Sequence, residues 1–157
     1  LGASASLMGL SLAVTTVSEL PVWFLAPKLL GRLGARRLLA VALFAGIVQA
    51  IAYAGLPNAW LALPVQLLHG LAFSAMWTAG VAYAADAAPP GTAATAQGLY
   101  NAVQMGLSAA MGGYLGGMLF ESIGGAMTFR LTAGASALAL VLVWVGARRR
   151  RRAVTGG

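Results

Sequence analysis

Glu19, His69 and a row of amides are the side chains here that could do chemistry, and all of them sit inside long apolar runs. A carboxylate within a membrane is costly enough to be a functional candidate by default. Glu19 is therefore read as a candidate proton carrier. The alternative is a structural ion pair with the basic segment about two helical turns further on. His69 is the single histidine. It can exchange protons near physiological pH, or it can simply hydrogen-bond inside a helix bundle, and both readings stand. One histidine and no cysteine exclude a histidine- or cysteine-cluster metal site within this chain. Three carboxylates and one histidine supply no recognisable catalytic constellation. The expectation is a protein that is not an enzyme, with no cofactor and no metal.

The remaining polar residues fall into rows once the runs are wound at about 100° per residue. Gln66, His69, Gly70, Phe73, Trp77 and Gly80 share one arc, a mixture of stacking surface and hydrogen-bonding groups suited to a sugar or a nucleoside. Gln97, Asn101, Gln104 and Ser108 share a second. An amide stripe facing lipid would leave donors and acceptors unpaired at a cost of several kcal/mol, so this row must face protein or water. Interhelical hydrogen bonding and the wall of a polar cavity are the two readings. On that same helix Ala102, Gly106, Ala109, Gly113 and Gly117 form a small-residue face. Such a face lets another helix approach, so Gly106, Gly113 and Gly117 are read as packing positions. Tyr100, Val103, Leu107, Met111, Tyr114 and Met118 form a bulky face suited to lipid.

The elements that carry these rows must be membrane helices. The chain has 157 residues, of which 60% are hydrophobic and 8% charged, and a mean hydropathy of +0.84. A domain of this size cannot hide that much apolar surface from water. Apolar runs long enough for a ~30 Å hydrocarbon core recur along it. The fold class is all-α, a polytopic bundle with five transmembrane helices at about 3–25, 38–55, 60–85, 95–120 and 127–145. Residues 1–147 form the bundle, and 148–157 a basic tail. The PKLLGRLGARR segment is expected to be a loop, Pro57 and Asn58 a turn, and Pro89, Pro90 and Gly91 a helix end. Pro21 is expected to bend the end of the first helix. Leu1 already lies in apolar sequence and no signal peptide is visible, so a partial chain is expected.

Charge sets the orientation. Lys28, Arg32, Arg36, Arg37 and Arg148 to Arg152 fall on one side and Arg130 on the other, nine against one. The basic side and the C-terminus are expected to be cytoplasmic. A juxtamembrane basic cluster meets lipid headgroups, so the net charge of +7 does not imply nucleic acid. Asp86 should lie on the same side as Arg32, Arg36 and Arg37. With Gly34 these residues are read as a gate, in which the acid and the arginines pair in one state and loosen in another. Such a pair is worth only ~0–1 kcal/mol, enough to bias states; solvated loop charges are the alternative.

With the loops placed, the chain resembles the C-terminal half of a major facilitator superfamily transporter. In LLGRLGARR, the residues Arg32, Gly34, Arg36 and Arg37 fit that superfamily's cytoplasmic loop motif. Gly31 stands where an acid is usual and Pro27 where the first glycine is usual. SELPVWF, LPVQLLHGLAFSAMW, AAPPGTAATAQGLYNAV and GGYLGGMLFESIGG look like the major-facilitator-associated branch. That branch is similar to nucleoside and oligosaccharide proton symporters and includes major facilitator superfamily domain-containing protein six. Gln49 stands where the branch leads one to expect an arginine. The resemblance implies that the five spans are helices eight to twelve of twelve, and that a missing N-terminal half is a partner. It also implies secondary active transport of a small polar solute, bound near midplane between two halves, with protons as a candidate coupling ion. A non-transporting membrane receptor or scaffold is the alternative. The expected partners are thus the bilayer, the other half, the solute and protons, and not nucleic acid.

Overall fold

The structure is a computed structural model that describes residues 4–155, with side chains described over 4–146. It is helical almost throughout. The first helix, α1 (Ala5–Ala54), opens with Ser4 as its cap, the hydroxyl accepting from the Leu7 N–H at 3.2 Å. Its two arms, 5–33 and 35–54, meet at Gly34, which alone leaves helical geometry, with φ 72° and ψ 159°. That backbone region is essentially reserved for glycine. The arms are ~44 Å and ~30 Å long at 1.5 Å per residue, each enough to cross a bilayer.

The loop expected over PKLLGRLGARR is thus a correction: the first arm runs through it to Leu33. Leu29, Leu30 and Leu33 pack on the core, giving the segment a buried face that keeps it helical. Pro21 and Pro27 both lie inside the helix, as prolines can in membrane spans.

Beyond Gly55 the chain turns through Asn58, whose side chain accepts from the Leu61 N–H at 3.2 Å and caps a 3-10 turn, Ala59–Leu61. Helix α2 (Ala62–Ala87) follows, ending before Pro89, Pro90 and Gly91, the last at φ 83°. Next come α3 (Ala93–Ala102), a π-turn (Val103–Leu107) and α4 (Ser108–Ile123) in a continuous helical path. Gly124, at φ 79°, makes the whole turn into α5 (Gly125–Thr155).

Helix α2 lies along both arms of α1. It is parallel to the first arm, where Ser11 and Ser18 meet Gln66. It is antiparallel to the second, where Gln49 meets His69 and Arg36 meets Tyr83. Val22, Leu38, Ala42, Ala75 and Ala79 make the core between them. The alanines let the backbones close up, the packing available in lipid without a hydrophobic drive between helices. Helix α5 packs antiparallel on the second arm, Tyr53 stacking on Phe129 with ring centroids 5.0 Å apart. Helix α3 packs on α2, and α4 packs along α5 with no buried residue of its own.

Large apolar side chains cover the outside, Phe24 being 80% exposed and Tyr114 70%. Among the described residues, Ala5–Ala54, Ala59–Ala87 and Gly125–Gly146 are helical stretches long and apolar enough to cross a membrane. The protein is an all-α membrane helix bundle.

Candidate functional site

A polar seam runs up the junction of α1 and α2. Gln66 donates from Nε2 to the Ser11 hydroxyl at 2.9 Å. The Ser18 hydroxyl lies 2.7 Å from the Thr15 carbonyl and 3.3 Å from that of Gln66. The helices come this close because position 70 is glycine: a Cβ there would collide with the Ser18 backbone and hydroxyl. One turn on, Gln49 from the second arm donates from Nε2 to His69 Nδ1 at 3.3 Å. Gln49 is buried and His69 half-buried, so the seam is closed on the amide side and open on the imidazole side.

From His69 an aromatic ladder climbs at i, i+4 spacing. His69 stacks on Phe73 with centroids 5.6 Å apart and planes 10° from parallel. Phe73 meets Trp77 at 6.0 Å, and Trp77 meets Tyr100 of α3 edge-on at 6.5 Å. The Tyr100 hydroxyl donates to the Met76 carbonyl at 3.4 Å. Its ring fills the hollow over Gly80, where a Cβ would collide with it. Gln66, His69, Phe73 and Trp77 are all half-buried. Among the described residues the buried oxygens of Ser74, Thr78 and Asn101 have no hydrogen-bond partner.

The second row divides. Gln97, Asn101 and Gln104 are half-buried, whereas Ser108 is exposed. The π-turn between them inserts about one extra residue and rotates the downstream helix by roughly 100°, so Ser108 leaves the row. Tyr100, expected on the lipid face, is instead the link between α3 and α2. The sequence signal for it was Gly80, a hollow on the facing helix. Gln49 is the other residue the row reading missed as a site member. An amide alone in an apolar span needs a partner, and that points to the nearest polar residue of the next helix.

Glu19 is half-buried and has no ion pair or hydrogen bond among the described residues. Gly106, Gly113 and Gly117 have open space where a Cβ would stand. The expected packing on them is therefore not made among the described residues; the close approaches between helices α1, α2 and α3 are at Gly70 and Gly80. At the bend of α1 a cavity of about 1030 Å³ brings Gly34, Arg36, Arg37 and Asp86 together. Arg32 does not line it, and Asp86 forms no ion pair among the described residues. The Arg36 guanidinium lies 5.8 Å over the Tyr83 ring. Arg148 to Arg152 lie outside the residues whose side chains are described.

A bundle of apolar helices with a polar, aromatic-lined seam defines a polytopic membrane protein. The chain belongs to the MFS_1 like family, whose model matches residues 1–131. It is 32% identical over 119 residues to a major facilitator superfamily domain-containing protein 6-like of Danio rerio, covering 73% of this chain and 22% of the relative. It is 31% identical over 120 residues to major facilitator superfamily domain-containing protein 6-like protein A of Xenopus laevis, covering 76% and 20%. It is 32% identical over 121 residues to a maltose permease of Geobacillus stearothermophilus, covering 77% and 31%. The chain thus spans about a fifth to a third of the length of these relatives. No solved structure matches it. The family is one of transporters, not enzymes.

Proposed function

We propose that the complete protein moves a small polar solute across a membrane by alternating access, and that this chain supplies helices eight to twelve of twelve. The observation that carries the reading is the half-buried ladder His69, Phe73, Trp77 and Tyr100, with half-buried Gln66 and Asn101 near its two ends in the chain. Ring faces stack on a sugar or a base while amides bond its hydroxyls or edges. The name of the maltose permease relative supports a sugar-like solute. The missing half closes the open edge, and the solute binds between the halves. Glu19, half-buried in the first arm and without an ion pair among the described residues, and His69 are the coupling groups if a proton travels with the solute. Gly34, Arg36, Arg37 and Asp86 form the gate, on the cytoplasmic side by the count of basic residues.

The test is uptake by the full-length protein in proteoliposomes across a panel of sugars and nucleosides, with and without a pH gradient. Saturable uptake of one class, with a raised KM in Trp77→Ala, is the expected result. No uptake of any panel member by folded protein would overturn the reading.

A further inference from the structure

The cavity at the bend of α1 lies apart from the polar seam, and its lining is of a different kind. Arg36 and Arg37 stand in it against one carboxylate, Asp86, and neither arginine pairs with that acid. Two guanidinium groups are thus left to an outside anion. Guanidinium presents a planar fork that fits phosphate oxygens two at a time. Tyr83, held under Arg36, and Trp144 stand at its margin. Aromatic rings of this kind gather where a bilayer's hydrocarbon meets its headgroups. The cavity's α5 wall is apolar and open to the outside, with Val141 54% exposed.

We infer that this cavity binds the phosphate headgroup of an anionic membrane lipid, whose acyl chains run along the exposed face of α5. A soluble phosphate would use the arginines but leave the apolar wall without a role. A neutral lipid would use the wall but leave the arginines without one. Basic pockets between spans at the membrane surface are a recognised means of holding acidic headgroups. In the sequence the wall leads straight into Arg148 to Arg152. Lipid binding here requires only that the chain sits in a bilayer; it does not depend on transport.

The test is native mass spectrometry of the full-length protein in neutral detergent, titrated with phosphatidylglycerol, phosphatidylcholine or inorganic phosphate. One arginine near an anionic surface is worth about fivefold in binding, so two give a preference on the order of twentyfold for phosphatidylglycerol. R36Q/R37Q should abolish that preference while still binding phosphatidylcholine, which also confirms that the variant is folded. Val141→Trp should weaken phosphatidylglycerol and leave any phosphate binding as it was. Three results would overturn the inference. They are a preference unchanged in R36Q/R37Q, inorganic phosphate displacing the lipid at equal concentration, or a preference lost only when Arg148 to Arg152 are neutralised.

Discussion

Substituting the glycines one at a time should rank them by what lies opposite each. At Gly70 an added Cβ meets the Ser18 carbonyl carbon and oxygen as well as its hydroxyl. Backbone cannot swing aside, so α1 and α2 must part. Overpacking of this kind costs about 1–3 kcal/mol, and parting the helices also strains the Ser18 to Gln66 hydrogen bond, worth ~0.5–1.5 kcal/mol. At Gly80 the obstacle is the far end of Tyr100. That ring can rotate away for the loss of one long hydrogen bond and an edge-on contact with Trp77, about 1–2 kcal/mol together. At Gly113 nothing stands within 4 Å, and Gly113→Ala should stay within ~0.5 kcal/mol of the wild type. The assay is denaturant unfolding of the full-length protein followed by tryptophan fluorescence. A double-mutant cycle sharpens it. Gly80→Ala should cost almost nothing on a Tyr100→Ala background, whereas Gly70→Ala should cost nearly as much with Ser18→Ala as without. Gly70→Ala as stable as Gly113→Ala would refute the account of the seam.

Four further outcomes can be read directly. Gly34→Ala should destabilise by about 1–3 kcal/mol although nothing crowds the position, because φ 72° with ψ 159° is open in practice to glycine alone; unfolding titration measures it. Trp77→Ala should raise KM by roughly 2–13-fold, the ~0.5–1.5 kcal/mol of a ring contact, with Trp77→Phe recovering part of the loss; unchanged kinetics would remove the ladder from the site. Glu19→Gln should abolish uptake driven by a pH gradient yet spare solute exchange; driven uptake at wild-type rates would exclude Glu19 as the proton carrier. Asp86→Arg should shift the balance of inward- and outward-facing states measured by distance spectroscopy, and an unmoved balance would end its role in the gate.

How much of this could be read in the sequence varied with what each residue depends on. Membrane helices were legible because they follow from length and hydropathy alone, with no partner required. The bend was misplaced because prolines and basic residues suggested a loop. Leu29, Leu30 and Leu33 carried the opposing signal, a buried face at helical spacing that holds the first arm together to Gly34. The α2 row was visible as an arc, but its pairing with Gln49 was not, since that bond joins residues 20 apart across a turn. Ser108 was assigned by winding an ideal helix through a stretch that contains a π-turn, and nothing in the residue types there announces the extra residue.

The two faces of the seam explain why the polar residues are tolerated in a bundle otherwise held by alanines. On the α1 side Gln66 and Ser18 meet in a contact only Gly70 permits, so these groups are satisfied and held in place. On the other side half-buried His69 is held at Nδ1 by buried Gln49. A purely structural network would be expected to satisfy both sides, since an unpaired polar group in hydrocarbon costs several kcal/mol. Among the described residues the buried oxygens of Ser74, Thr78 and Asn101 have no hydrogen-bond partner and Glu19 has no ion pair. Satisfied on its α1 flank and half-buried at His69, the seam has the asymmetry that the proposed binding wall requires.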